Sequence, residues 1–438
     1  MGHKEALLQK INDKTAVLGV LGLGYVGLPL AVEKAKAGYK TIGFDVQKAK
    51  VDMVNAGTNY IGDIVDADLK TQVESGMLSA SDDFSLIASV DCIAICVPTP
   101  LDRHQQPDVH YIEDSCKEIS QYVHPGMLVT LESTTYPGTT EELVKPLLEE
   151  SGYRCGEDFF LSFSPERVDP GNAYYKTFNT PKVVGGVNPD STDVAAALYQ
   201  NIIKSDIFRV SSPRVAEMEK ILENTYRNIN IGLANEMAII CDKMNISVWE
   251  VIEAAKTKPY GFQAFYPGPG LGGHCIPLDP YYLTWKAREY DYHTRLIETS
   301  GEINNYMPQY VIERMSRMLN QFKKPLNGSK VLMLGVAYKP DIDDYRESPA
   351  LKIIELLEKE GAETVFYDPY IRHFKYKNRE YCGEEELTAE LIRSADIVLI
   401  TTNHSKVDYD FVQENAKAIF DTKNAAKNVK NRDNIELL

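Results

Sequence analysis

The segment Gly22-Leu23-Gly24-Tyr25-Val26-Gly27 constrains this chain more than any other. An apolar β-type run, Thr15 to Val20, precedes it, and an amphipathic helical stretch to about Ala37 follows; a second strand-like run, Lys40 to Asp45, comes next. G-x-G-x-x-G alone is a weak signal. Between a strand and a helix, with Asp45 placed 18 residues after Gly27, it reads as the turn of a β-α-β unit that seats a pyrophosphate at a helix N-terminus. Gly22, Gly24 and Gly27 allow the tight turn and the close approach of the phosphates. Asp45 can accept hydrogen bonds from adenosine ribose hydroxyls and repels a 2′-phosphate, so NAD is expected rather than NADP.

Later apolar strands at Asp91–Val97, Met127–Glu132 and Phe159–Ser164 alternate with helical segments. Alternation of this kind gives a parallel sheet with helices on both faces. The first domain is expected at 1–210. From Arg214 to Met244 a long helical pattern runs with few breakers, and helical periodicity resumes from about Pro280 to Gln321, after a Gly/Pro-rich loop from Pro259 to Pro280. This helical middle is expected at 211–320, its long helix a spine and dimer interface. At Lys330 a second α/β pattern begins: Val331 to Val336, a helix near Pro349–Glu360, Thr364 to Asp368, and a strand at Asp396–Thr401. The expected fold is therefore α/β, with two Rossmann-like doubly wound domains joined by a central helical region, the last domain at 321–438. A chain of 438 residues exceeds what one core usually supports. The two ends are alike in plan, with no evident residue-level repeat.

The net charge of −16 argues against nucleic acid or an anionic membrane as the main partner. Seven scattered cysteines without a CxxC pair indicate neither a disulfide framework nor a zinc site, no metal is expected, and a reducing cytoplasm fits. Met1 to Lys14 is polar and charged, unlike a signal peptide, and no apolar run approaches the roughly 20 residues of a membrane helix.

The chemistry-bearing stretches lie outside the glycine turn. Gly270-Leu271-Gly272-Gly273-His274-Cys275 sets a thiol at the end of a run of small residues, beside a histidine, with Asp279 four positions on. Such a cysteine can bond a carbonyl carbon, although buried structural cysteine is common; the other six read as structural. Lys220 and Asn224 are four apart on the long helix, and Arg227 lies near the same face, so the three could hold an oxyanion or a phosphorylated ligand, or form a solvated polar face. Ser164-Pro165-Glu166-Arg167-Val168-Asp169-Pro170-Gly171 and Cys96-Val97-Pro98-Thr99-Pro100 follow strands, at the sheet edge where ligands bind. Lys339-Pro340-Asp341 and Arg346-Glu347-Ser348 place two cations where a first β-α turn of the last domain would take phosphate, or form a charged surface loop.

Together with the strand end Glu132-Ser133-Thr134 and with Tyr338-Lys339, these pieces, in order and over nearly the whole chain, resemble the UDP-glucose/UDP-mannosamine dehydrogenase family. The resemblance implies an NAD-dependent enzyme that oxidises C6 of a UDP-sugar from alcohol to carboxylate with two NAD per sugar. It implies an N-terminal NAD domain, a helical dimer spine and a C-terminal UDP-binding domain, and a role in making uronic acids for surface polysaccharides. Carried over by motif, Cys275 attacks the C6 aldehyde to give a thiohemiacetal and then a thioester. Lys220 and Asn224 hold the C6 oxygen, and Glu166, Asp279 and Thr134 order or activate the water, in no fixed ranking. Arg167, Val168, Arg227, Tyr338 and Lys339 bind the UDP-sugar; Tyr25, Val26, Asp45, Thr99, Thr134 and Arg346 bind NAD, with Lys50 near the adenosine. Lys423 stands where the family usually carries an arginine supplied across the dimer to the substrate; lysine keeps the charge but loses the bidentate fork.

Ser-Pro-Glu-Arg-Val and Gly-Gly-His-Cys resemble the N-acetylhexosamine members, and Lys256 to Phe262 with Tyr266 to Gly270 is most similar to UDP-N-acetylglucosamine 6-dehydrogenases. UDP-N-acetylmannosamine and UDP-N-acetylgalactosamine stay open as substrates. A one-step hydroxyacid-type dehydrogenase would need no thiol, and a non-catalytic NAD-binding descendant would be marked by loss of Cys275 or Lys220, both present here.

Overall fold

The computed structural model describes residues 2–62, 64–169, 171–172, 174–273 and 275–438. His274 and Pro170 of the motifs above lie outside the described residues. The chain divides into two compact units, Met1–Glu223 with Tyr281–Tyr292, and Asn224–Pro280 with His293–Leu438.

Apolar runs too short for helices bury both faces only inside a sheet. In the first unit β1 (Leu18–Leu21), β2 (Thr41–Phe44), β3 (Leu78–Ser81), β4 (Cys92–Ile95), β5 (Leu128–Leu131), β6 (Phe160–Phe163), β7 (Lys182–Gly186) and β8 (Ile207–Val210) form one sheet in the order β3-β2-β1-β4-β5-β6-β7-β8. Every residue of β1, β2, β4, β5 and β6 is buried, as expected of strands covered on both faces. The first six strands are parallel and follow the dinucleotide-binding order, which reverses between β1 and β4. The sheet is not parallel throughout: β7 runs antiparallel to β6, pairing Ser162 with Gly186 and Phe163 with Gly185. Two apolar layers cover it, one around Phe44, Ile95, Leu131 and Phe163, the other around Leu28, Ala31, Val51 and Leu69.

In the second unit β9 (Lys330–Leu334), β10 (Glu363–Tyr367), β13 (Ile397–Ile400), β14 (Ile419–Asp421) and β15 (Ile435–Leu437) form a wholly parallel sheet, β10-β9-β13-β14-β15. A hairpin, β11 (His373–Tyr376) and β12 (Arg379–Cys382), follows β10 and buries Phe374 in the core of this unit. The order again reverses beside the first strand, here between β9 and β13.

The long helix, Pro213–Met244, is continuous, and the boundary between the units falls within it, after Glu223. The helical pattern expected from Pro280 to Gln321 is interrupted. A helix ends at Ala287, a single 3₁₀ turn follows, Asp291 takes the left-handed conformation, and the next helix runs Arg295–Gln321.

A resemblance between the two sheets appears in their first corners, although the sequence shows no plain repeat. Gly22 and Gly335 end β1 and β9 with φ of +94° and +90°, and each donates its N–H to the last residue of the second strand, Phe44 O at 2.8 Å and Tyr367 O at 2.9 Å. The aspartate after that strand, Asp45 or Asp368, accepts the N–H of the residue after the glycine, Leu23 at 2.9 Å or Val336 at 2.7 Å.

Candidate active site

The first corner fits a dinucleotide. A Cβ at Gly22 would stand 2.5 Å from the Cys96 carbonyl oxygen, and one at Gly27 would stand 1.8 Å from the Gly22 oxygen, so helix and strand meet at a distance only glycine permits. Around Gly24 nothing lies within 4 Å of such an atom, which leaves an open face for phosphates at the start of the helix Gly27–Lys36. Asp45 Oδ1 accepts from Gln47 N and Oδ2 from Leu23 N, with Lys50 Nζ at 3.5 Å. Its acceptor capacity is not used up, since a carboxylate offers about four lone-pair sites.

The second corner differs. Asp368 accepts five hydrogen bonds, from Val336 N, Ala337 N and His404 Nε2 on one oxygen and from Tyr370 N and Ile371 N on the other. Burial would raise its pKa, but the His404 contact and the backbone donors hold it below the ordinary carboxylate range. Nothing remains there for a ribose diol.

Elsewhere in the first unit the expected residues meet in two groups. Thr99 Oγ1 donates to Thr134 O at 2.7 Å, and the fully buried Tyr282 donates its hydroxyl to Thr99 O. Glu166 Oε1 accepts from Arg167 N and Val168 N, at 2.8 and 2.9 Å, so this carboxylate is oriented by its own loop. The Arg167 side chain, expected at the substrate, is engaged by protein acceptors: Glu223 through a two-pronged contact, Glu219 Oε1 at 3.6 Å, and Pro181 O at 3.0 Å. Burial and the Glu223 neighbour push Glu219 up to about 7, while Arg167 holds Glu223 low despite its burial. Lys220 is buried on the long helix. Tyr25 is exposed and Val26 half-buried at the mouth of the glycine turn.

In the second unit the long helix grips the cysteine loop with asparagines. Asn224 Nδ2 donates to Asp279 Oδ2 at 2.5 Å, Asn228 Nδ2 to Ile276 O at 3.1 Å, and Asn235 Oδ1 accepts from Gly268 N at 2.9 Å. Asn304 braces the set, bonding both Asn228 and Asn235. Sequence reasoning singled out Asn224 but not Asn228, Asn235 or Asn304. Their spacing along helices was the available signal, since buried amides must find partners. Cys275 is exposed, in no disulfide, and its carbonyl accepts from Leu278 N and Asp279 N, which curls the chain back to the asparagines. Gly272 and Gly273 lie against Tyr338: added Cβ atoms would stand 2.6 Å from Tyr338 Cβ and 2.8 Å from Tyr338 Cε2. The cysteine loop and the Tyr338-Lys339 turn are therefore packed together.

Lys423 Nζ lies 2.6 Å from where a Cβ of Gly268 would be, in its own chain. It reaches the cysteine loop without a second copy. Burial pulls this ammonium down to about 8, against the raising effect of Asp421. Arg346 turns its fork onto Asp344, at 2.9 and 2.7 Å, and Arg227 is exposed. Of the other cysteines, Cys92, Cys96, Cys116 and Cys241 are buried and Cys155 half-buried; burial pushes Cys92, Cys116 and Cys155 up to about 12, far from thiolate chemistry. Cys382, read as structural, is instead exposed on the hairpin. Among the described residues no group of three or more His, Cys, Asp or Glu is placed to hold a metal, and no helix is long and apolar enough to cross a membrane.

Comparison with known proteins places these features in one family. Three family domains match in order: the UDP-glucose/GDP-mannose dehydrogenase NAD binding domain at residues 16–203, the central domain at 214–306 and the UDP binding domain at 332–428. The chain is 34% identical to a UDP-N-acetyl-D-mannosamine dehydrogenase of Pyrococcus horikoshii, over 94% of this chain and 96% of that protein. It is 36% identical to a UDP-N-acetyl-D-glucosamine 6-dehydrogenase of Pseudomonas aeruginosa, over 82% and 84%. Among solved structures, the UDP-D-ManNAc dehydrogenase of Pyrococcus horikoshii superposes with a TM-score of 0.88 at 33% identity, covering 96% of this chain and 98% of that one. These matches run through nearly the whole chain in the family's own domain order, and the protein belongs to the UDP-glucose/GDP-mannose dehydrogenase family, as an NAD-dependent oxidoreductase of UDP-sugars.

Proposed function

We propose that the chain oxidises C6 of a UDP-N-acetylhexosamine, UDP-N-acetylglucosamine first, through a covalent intermediate on Cys275 to the uronic acid. The observation that carries this reading is the exposed Cys275 on a loop fixed from one side by Asn224, Asn228 and Asn235 and from the other by Tyr338. A thiol so held serves little purpose in a one-step alcohol oxidation. Bound NAD supplies the hydride acceptor, twice per sugar. Cys275 Sγ adds to the aldehyde carbon while its proton passes to the C6 oxygen, which Lys220 and Asn224 stabilise. After the second oxidation the same sulfur carries an acyl group. Water then breaks the carbon–sulfur bond, giving the carboxylic acid and returning the thiol, with Glu166, Asp279 and Thr134 as candidates to orient that water. Tyr338, Lys339, Lys423, Arg227 and the Arg167–Val168 loop are assigned to the UDP-sugar; Tyr25, Val26, Asp45, Lys50, Thr99, Thr134 and Arg346 to NAD.

Gly-Gly-His-Cys favours an N-acetylhexosamine, and the runs Lys256 to Phe262 and Tyr266 to Gly270 favour the glucosamine epimer. UDP-N-acetylmannosamine is the second reading, favoured by the longer coverage of the Pyrococcus relative. We further assign domain limits of 1–210, 211–320 and 321–438, a cytoplasmic place and a role in polysaccharide precursor synthesis. A homodimer formed through the long helix completes the reading. That helix exposes Val215, Met218, Leu222, Tyr226, Leu233, Ile240 and Met244 at helical spacing, an apolar stripe suited to a second copy. The test is the NADH released per sugar consumed with UDP-glucose, UDP-N-acetylglucosamine, UDP-N-acetylmannosamine and UDP-N-acetylgalactosamine. Two NADH and an acid from one of the acetamido sugars is the expected result; one NADH per sugar would refute the role of Cys275.

A further inference from the structure

We propose that Lys182, buried behind the Glu166 loop and held by Glu132, is a positioning residue for the Glu166 carboxylate in the water-adding half of the reaction. The inference rests on the reading of Glu166 as part of that step.

Lys182 opens β7 and is 4% exposed; Glu132 directly follows β5 and is 1% exposed. A buried ion pair of this kind is costly to form, and packed apolar side chains often serve stability equally well. A purely structural pair would close on itself. This one does not. An ammonium carries three N–H bonds. Lys182 Nζ has Glu132 Oε2 at 2.6 Å, Pro165 O at 3.2 Å and Glu166 Oε2 at 3.7 Å. The last is a charge contact rather than a hydrogen bond. Two of its three neighbours are thus consecutive residues of the Glu166 loop. The second Glu132 oxygen accepts the hydroxyl of Tyr199, which is fully buried and whose ring lies 5.1 Å from Lys182 Nζ.

The orientation of Glu166 is fixed from both sides. Its Oε1 takes the Arg167 and Val168 amides, and its Oε2 faces Lys182. Because Glu132 immediately precedes Ser133 and Thr134, the same pair ties the strand end carrying Thr134 to the loop carrying Glu166. The charged and titratable groups around this pocket include Lys182, Glu132, Tyr199, Arg167, the Cys96 thiol and the buried Lys34. Burial would lower Lys182, and the Glu132 and Glu166 carboxylates outweigh it, so the cation persists. The cation and the two amides together fix where the Glu166 carboxylate stands, and a displacement of about 1 Å in a group that orders the attacking water is costly to the rate.

The double variant Lys182→Met/Glu132→Gln removes the cation without leaving a lone buried charge. We expect kcat to fall about 10- to 100-fold while KM for the UDP-sugar stays unchanged. Intact-mass spectra of quenched turnover should show sugar covalently retained on Cys275, with the NAD dissociation constant unchanged. Lys182→Arg, which keeps the charge, should keep most of kcat and release the sugar. Tyr199→Phe, which loosens the same packing but leaves the cation, should lower Tm without leaving sugar on Cys275. An unchanged kcat and no retained sugar in the double variant would overturn the proposal, as would equal retention of sugar in Tyr199→Phe. Glu166→Gln separates the two claims: wild-type turnover there sinks the reading of Glu166 itself, whatever Lys182 does.

Discussion

Replacing Gly272 with alanine tests the packing of the cysteine loop on Tyr338. The added Cβ would stand 2.6 Å from Tyr338 Cβ and 2.9 Å from Pro349 Cδ, where ordinary van der Waals contact begins at 3.4 Å. Neither neighbour is the far end of a flexible chain, so the loop and the Tyr338 turn must part by roughly 0.8 Å, the overpacking situation that costs about 1–3 kcal/mol. The backbone torsions of Gly272 are not left-handed, so the effect is steric alone. A displacement near 1 Å in a reacting group can cost about 10²-fold in rate. We therefore expect kcat/KM for the UDP-sugar to fall about 10²-fold and Tm to fall by several degrees. Wild-type kcat/KM in a variant whose Tm has dropped would refute the coupling of this contact to chemistry.

Other expectations are simpler. Gly24→Ala should leave Tm unchanged, because nothing lies within 4 Å of its new methyl, yet weaken NAD in a calorimetric titration; a fall in Tm would mean that the turn is not open. Cys275→Ser should bind NAD normally and release no uronic acid, as read by product mass. Asn235→Ala leaves Gly268 N–H and an Asn304 contact unpaired in a buried place, at about 1–3 kcal/mol, so Tm should drop and iodoacetamide should label Cys275 faster. Lys423, with its pKa near 8, is protonated below that pH and loses its charge as pH rises through it. The UDP-sugar KM should accordingly climb above about pH 8 in the wild type and stay flat in Lys423→Arg, whose guanidinium remains charged.

The sequence discloses those parts of this architecture that depend on chemistry local in the chain. Glycine at 22 and 27 is dictated by a turn that few other residues can make, Gly24 and Asp45 fit the ligand such a turn seats, and the fully apolar strands declare themselves by hydrophobicity alone. Most strands that escape it are short, polar or edge-exposed, but β7, Lys182–Gly186, is wholly buried and is masked by its lysine and two glycines. Leu78–Ser81 alternates with serine, Ile207–Val210 is partly exposed, and β14 and β15 have three residues each. The break at Asp291 carries neither glycine nor proline, so no local signal marks it. Site residues hidden from the sequence are those defined by distant partners. Arg167 meets Glu223 across 56 residues of chain, a contact that nothing in its own loop announces. Asn228 and Asn235 look like surface amides until Ile276 O and Gly268 N, far along the chain, prove to be their partners.

The asparagines of the long helix also act as a ruler. Asn224, Asn228 and Asn235 hold three points of one loop from a single rigid rod. A helix turns by about 100° and rises about 1.5 Å per residue. One residue inserted between Asn224 and Asn235 would rotate every later amide away from its partner, and no side-chain adjustment could restore all three bonds. This stretch therefore tolerates substitution more readily than any change of length, and variation in loop size among relatives is expected on either side of it rather than within.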